Sequence, residues 1–316
     1  MRSRDRVAIV GAGHVGSTAA YALMLRALFR EIVLIDSDPA LAAAEASDIS
    51  DANALARPSR IWAGDFADAA TAHLAVITAG AATHGAETRL SVASRSAAIV
   101  GDCVTKLIEK GFSGILLIAC NPVDLMALHA FRQSGLPATR VIGTGTLLDS
   151  SRLQQALAGA LDVAAGAIDA VVLGEHGDSE VPAFSTARVG GLPLARFAPH
   201  RVHDHGQVAQ QVREAGYRII AGKGYTSFGI ATAVVRICEA ILRDERAILP
   251  VSVLLTGEFG ISDVYMSLPS ILGAQGVERI LVPDLSGQEI IALRASAATL
   301  QAAFSALSRG PESTPA

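Results

Sequence analysis

Cysteine is scarce in this chain. Its three residues, Cys103, Cys120 and Cys238, are widely spaced, odd in number and in no metal-ligand pattern. They read as reduced core thiols of an intracellular protein, and no metal is expected. Charge of one sign is also lacking: 26 Lys and Arg stand against 30 Asp and Glu, a net charge of -4, spread along the chain. No basic stripe for nucleic acid and no polybasic membrane patch can be found. Long apolar runs are missing too, despite a mean hydropathy of +0.40, because the surplus is mostly alanine. The longest, at 114–120, has the length of a strand and falls well short of the roughly 20 residues of a spanning helix. The start, Met1 to Arg6, is charged and leads straight into a strand without a signal-like apolar region. The expectation is a soluble cytoplasmic protein.

Apolar residues make up 51% of the 316 and charged ones 18%, which suits a compact chain with a large core and excludes a disordered one. The length favours two closely packed domains. In the first half, strand-like runs at 6–10, 31–36, 73–79, 114–120 and 140–143 alternate with helical patterns at 14–28, 39–55, 92–110 and 123–134. Continuous apolar strands in such an alternation mean a parallel sheet covered on both faces: an α/β, doubly wound sheet of the Rossmann type over 1–145. Beyond it the pattern becomes mixed α+β, a substrate domain over 146–316. A helix at 146–159 leads to a strand at 168–173. Helices at 203–221 and 227–243 follow, then β-like segments at 248–256 and 276–282, then a closing helix at 288–307.

The run VAIVGAGHVGST at 7–18 fits G-x-G-x-x-G between a strand and a helix. Gly11 permits the tight turn, Gly13 lets a pyrophosphate approach the backbone, and Gly16 lets helix and strand pack closely; His14 and Val15 stand between. The helix start supplies unpaired N–H groups and a positive dipole end. Glycines also serve ordinary turns, but Asp36 closes the second strand twenty residues after Gly16, where ribose hydroxyls belong. No Arg follows it, and Asp36 and Asp38 together would repel a 2′-phosphate. The expected cofactor is NAD.

In the second half, Asp149 and Arg152 lie three apart on one helical face. Alone they would be a surface ion pair. His176 sits between glycine-flanked loop residues after an apolar strand; alone it would be a loop histidine. Together they match hydride transfer to a ketone. An imidazole can deliver a proton to the forming alkoxide near neutral pH. A buried carboxylate fixes its tautomer, and a guanidinium fork holds a substrate carboxylate.

Gly11 to Gly16, Asp36, Glu87-Thr-Arg89, Asn121-Pro-Val-Asp124, Leu148-Asp-Ser-Ser-Arg152, Gly174-Glu-His-Gly177 and Lys223-Gly-Tyr-Thr-Ser227 occur in the order and spacing of the L-lactate dehydrogenase family. The chain resembles that family from Val7 to about Leu307, and the segment 223–227 resembles the lactate rather than the malate branch. The resemblance implies that His176 is the proton donor and acceptor, that Asp149 is its partner and that Arg152 binds the substrate carboxylate. It implies that Asn121 contacts the substrate oxygen and the nicotinamide end, that Ala79 and Gly80 line the cofactor, and that Ile230 packs on the nicotinamide ring. Thr226 would line the substrate pocket, and Arg89, on a mobile loop, would polarise the carbonyl as the site closes.

Thr83, six residues before Arg89, departs from the family, where lactate enzymes usually carry Gln and malate enzymes Arg. Thr cannot pair a second substrate carboxylate, so a dicarboxylate is disfavoured. His84 is a further departure. Gly216 stands where the family usually has Ala; with Thr83 it should enlarge the side-chain end of the pocket. The expected partner is therefore a small 2-oxo or 2-hydroxy acid, with pyruvate or a bulkier analogue as substrate. Malate dehydrogenase and a non-catalytic NAD(H) sensor are the alternatives. The sensor would show loss of His176, Arg152 or Arg89, and all three are present. The family's dimers and tetramers imply a homodimer or homotetramer here, for which the alanine-rich helix 39–55 could supply a face.

Overall fold

A computed structural model of the chain describes residues 3–56, 58–81, 89–198 and 205–309, with backbone alone at 3–4, 89–91 and 309. Six strands run parallel: β1 (Ser3–Val10), β2 (Glu31–Ile35), β3 (Arg60–Ala63), β4 (Ala72–Ile77), β5 (Ile115–Ile118) and β6 (Val141–Gly143). The helices α1 (His14–Leu25), α2 (Pro39–Ala56), α3 (Phe66–Ala69), α4 (Arg89–Glu109) and α5 (Val123–Ser134) connect them. Every residue of β4 and β5 is buried, as continuous apolar strands between two helix layers must be. The spatial order β3-β2-β1-β4-β5-β6 reverses direction at β1. Such a reversal opens a crevice beyond the carboxyl ends of β1 and β4.

The second half begins with α6 (Leu147–Leu161) and short strands β7 (Ile168–Asp169), β8 (Val172–Leu173), β9 (Val181–Pro182), β10 (Arg188–Val189) and β11 (Leu192–Pro193). Then come α7 (Leu194–Phe197), α8 (His205–Lys223), α9 (Phe228–Leu242), the strands β12 (Ala247–Thr256), β13 (Ser262–Gly273) and β14 (Gly276–Ile280), and α10 (Gly287–Arg309). The last three strands form an antiparallel meander that joins the parallel sheet, because Ser252 of β12 pairs with Gly143 of β6. A Cβ at 143 would stand 2.8 Å from that of Ser252, so glycine permits the approach. The result is one sheet of nine strands. The long β13 and the edge strand β3 were not anticipated from the sequence, and α1 is shorter than expected, ending before Ala27, whose φ is 51°.

The main core surrounds this sheet, while a smaller one, with Leu153, Leu157, Val172, Val189 and Val212, packs α6 against α8. Helix α10 is long and apolar enough to cross a membrane by length and composition, with hydropathy 1.4 over 287–308. In the fold it lies along the protein instead. Leu293, Ala297, Leu300 and Phe304 are buried in the main core, and Arg294 and Gln301 donate to the carbonyls of Phe259 and Ser262.

Candidate active site

The glycine loop follows β1 directly. Gly11 has φ +105°, and a Cβ there would meet the Ala79 nitrogen at 2.6 Å; a Cβ at Gly16 would stand 1.8 Å from the Gly11 oxygen. These two glycines are required by packing. Gly13 is different: nothing lies within 4 Å of where its Cβ would be, so the space before α1 is open. Helix α1 starts at His14 with no side-chain cap and no acid in its first turn, leaving N–H groups for an anion. Asp36, at the end of β2, accepts from the Ala12 amide at 2.6 Å and from the Asp38 amide at 2.9 Å, which fixes the loop beside it. Ala79 and Gly80 follow β4, and Ala79 lies against this loop, its amide donating to the Val10 carbonyl at 3.0 Å. A Cβ at Gly80 would lie 3.2 Å from that of Cys120, so the end of β5, and Asn121 after it, is the next neighbour. An open glycine, an uncapped helix end and a ribose-level carboxylate fit the phosphates and ribose of NAD.

The second group is built on α6. Thr146, just before it, donates to the Val172 carbonyl at 2.5 Å, and Ser150 in its first turn accepts from the Val172 amide at 2.8 Å. These bonds tie the helix start to β8, the strand that carries the chain into His176. Asp149 is 2% exposed, and each of its oxygens has a partner. His176 donates through Nδ1–H at 2.6 Å, and Arg152 donates through Nη1 at 2.9 Å. With Nδ1 occupied in this way, Nε2 remains as the nitrogen that can exchange a proton elsewhere. The His176 amide donates to Asp124 at 2.8 Å, and Ser252 donates to the other Asp124 oxygen at 2.5 Å.

The electrostatics follow from this wiring. Burial opposes the charged ring of His176, but the charge and hydrogen bond of Asp149, with smaller help from Asp124 and Glu180, raise its pKa to about 9. Burial would raise Asp149, yet the His176 and Arg152 charges outweigh it and hold the carboxyl below its ordinary value. Asp124 is pushed up to about 6 by burial, against its bonds from Ser252 and His176. The group therefore holds a proton on the imidazole at neutral pH, beside an ionised carboxylate.

Gly216 of α8 faces this group: its Cβ would lie 3.7 and 3.8 Å from the two terminal nitrogens of Arg152. Tyr217 donates to Asp178 at 2.9 Å, joining α8 to the loop of His176. After α8, Tyr225 stacks on His14 of the glycine loop with ring centroids 3.8 Å apart. Thr226 is the next residue, and Ile230 lies in the first turn of α9. The structure thus brings Asp149, Arg152, His176 and Gly216 together, and it joins the 223–227 segment to the glycine loop. Among the described residues Asn121 makes no side-chain hydrogen bond or ion pair. Thr83, His84 and the guanidinium of Arg89 lie outside the described residues; Arg89 begins α4.

Residues 5–143 match the family model described as lactate/malate dehydrogenase, NAD-binding domain, and residues 146–308 match that of the α/β C-terminal domain. The chain belongs to the lactate/malate dehydrogenase family. As a member it is an NAD-dependent oxidoreductase. Among this family's proteins it is 45% identical to an L-lactate dehydrogenase of Thermus aquaticus, over 96% of this chain and 99% of the relative. It is 43% identical to one of Priestia megaterium, over 94% of each. A crystal structure of the minor L-lactate dehydrogenase of Enterococcus mundtii in its ligand-bound form superposes with a TM-score of 0.93 at 38% identity, over 95% of this chain and 97% of that one.

Three polar residues of this dehydrogenase were not singled out in the sequence. Asp124 lies in the Asn121-Pro-Val-Asp124 motif, and its signal is a charge among the apolar residues of the first two turns of α5. Glu180 precedes the apolar pair of β9, yet it is only 6% exposed. Arg213 lies three residues before Gly216, on the same face of α8.

Proposed function

We propose that the chain is an enzyme of the L-lactate dehydrogenase type, moving a hydride reversibly between NADH and a 2-oxo monocarboxylate, pyruvate or a bulkier analogue. The observation that carries this reading is the linear pairing His176–Asp149–Arg152, at 2.6 and 2.9 Å, with glycine at 216 in front of the guanidinium. In this reading Arg152 keeps one nitrogen on Asp149 and presents the rest of its fork to the substrate carboxylate. Asp149 holds the imidazole in the tautomer whose Nε2 gives a proton to the substrate oxygen as it becomes an alkoxide, and takes one back in the reverse direction. NAD bound at the glycine loop supplies the hydride carrier; Gly11, Gly13, His14, Val15, Gly16, Asp36, Ala79, Gly80, Asn121 and Ile230 are its contacts. Asp36 and Asp38 select it over NADP by repelling a 2′-phosphate. Arg89 polarises the carbonyl, Asn121 steadies the substrate oxygen, and Thr83, Gly216 and Thr226 bound the side chain.

The same reading divides the chain into a cofactor domain, 1–145, and a substrate domain, 146–316. It makes the protein a cytoplasmic homodimer or homotetramer. Its cysteines are buried free thiols, as a reducing compartment allows. A groove of about 230 Å³ between α1, α2 and α9, lined by Tyr21, Ile49, Ala52 and Phe228 together with Ser17, Thr18, Glu45 and Asp48, offers a mixed face for a second copy. The test is a kcat/KM panel with NADH over pyruvate, 2-oxobutyrate, 2-oxoisocaproate, phenylpyruvate and oxaloacetate. The expected result is that branched or aromatic oxo acids match or exceed pyruvate, with oxaloacetate far behind. A sharp preference for pyruvate removes the bulky-substrate element, and a preference for oxaloacetate removes the lactate-type assignment.

A further inference from the structure

Coupled to the His176–Asp149–Arg152 group is a second acid that the reaction as described does not use. Glu180 is 6% exposed, and its Oε1 is buried without a hydrogen-bond partner among the described residues. Arg213, one turn before Gly216 on α8, has a buried Nε in the same condition. A carboxylate in such a seat is costly, and an apolar or amide side chain would remove that cost. What the acid does have is a set of charged neighbours. Asp149 repels it, while His176, Arg213 and Arg152 attract it. Its seat at the end of the His176 loop, just before β9, where its amide donates to the Gly177 carbonyl at 3.2 Å, places a negative charge within electrostatic reach of the imidazole.

We propose that Glu180 is a positioning residue of this dehydrogenase, whose carboxylate helps to hold the proton on His176 while Arg213 serves as its counter-cation. The inference rests on the proposed role of His176 as proton donor. The charged groups coupled to the imidazole are Asp149 from α6, Asp124 from α5 and Glu180 from the end of its own loop; Glu180 is coupled in turn to Arg152 of α6 and Arg213 of α8, and Asp124 to Glu175. Asp149 is the largest of the charges that stabilise the imidazolium, Asp124 comes next and Glu180 follows. Burial, then the Asp149 charge, raise the Glu180 carboxyl to about 8, so it ionises over the range in which the imidazolium begins to lose its proton. The ionised carboxylate then extends the protonated state of His176 to higher pH.

The experiment compares the pH profile of kcat/KM for oxo acid reduction in the wild type, Glu180→Gln and Glu180→Met. Thermal melting and NADH fluorescence establish that each variant is folded. Wild-type turnover that falls at alkaline pH is the prior condition; its absence counts against the proposed function and not against Glu180. Given that condition, removing the charge should move the alkaline limb to lower pH by about half a unit to one unit, equally for the amide and the thioether. At a pH above the limb this reads as a roughly threefold to tenfold loss. Glu180→Asp, which keeps the charge, should restore most of the limb. Superimposable limbs, or a shift in only one of two folded variants, would overturn the proposal. If one variant does not fold, the other decides.

Discussion

His176 is held at three points: its ring by Asp149, its amide by Asp124, and its flanking loop by β8 and β9. Replacement by Asn should leave NADH binding near normal and lower kcat by roughly a hundredfold to ten-thousandfold, the usual range for a general acid–base group. Stopped-flow turnover against fluorescence titration separates the two effects, and surviving turnover would remove the residue from its role. The raised pKa sets the direction of the pH dependence. Reduction needs the protonated ring and should fade as pH rises through about 9, whereas oxidation of the hydroxy acid needs the neutral ring and should rise through the same range. Gly216 carries the specificity argument. A methyl there would touch both terminal nitrogens of Arg152 at ordinary van der Waals distance, so Gly216→Ala should fold normally. It should lower kcat/KM for 2-oxoisocaproate several-fold more than for pyruvate, since the space of one methyl group is worth about 10-fold in discrimination.

At the scale of elements, the glycine loop and α1 form one packed unit. A Cβ at 16 would overlap the Gly11 carbonyl at 1.8 Å, so Gly16→Ala should displace α1 from β1. The expected outcome is loss of NADH binding and a melting temperature several degrees lower, measured by calorimetry. This loop and the strands around it were legible in the sequence because their signals are local: glycine spacing, an acid at a strand end, apolar runs of strand length. The edge strand Arg60–Ala63 was not, because its residues are exposed or half-buried and its Arg-Ile-Trp-Ala sequence lacks the apolar run of its neighbours. Nor was the joining of β12 to β6, which rests on a Ser252–Gly143 contact more than a hundred residues apart in the chain. The site divides in the same way. Asp149 and Arg152 share a helix face and could be paired from spacing alone, but Glu180 comes within electrostatic range of Arg213 only through the packing of α8 on the small core, which no periodicity announces.

At the scale of the whole molecule, two features bear on assembly. Helix α2 buries only Ala42, Ala46 and Ile49, and Phe228 is 71% exposed on the neighbouring face. Together with Tyr21, 43% exposed, Phe228 forms the aromatic part of a mixed groove between α1, α2 and α9, which suits a contact with a second copy. Sedimentation equilibrium should therefore show a dimer or tetramer, and Phe228→Glu should shift it toward the monomer by burying an unpaired charge at the contact. An unchanged mass would place the interface elsewhere. The second feature is that the sheet runs unbroken from the glycine loop's strands to the meander behind His176, so cofactor-side and acid-side residues share one rigid frame.

Glycine at 216 is also an end point, since no amino acid is smaller. Any further room on that wall must come from moving α8 itself or from a different wall, whereas a single carbon closes it. Selection at this codon can only narrow what the enzyme accepts.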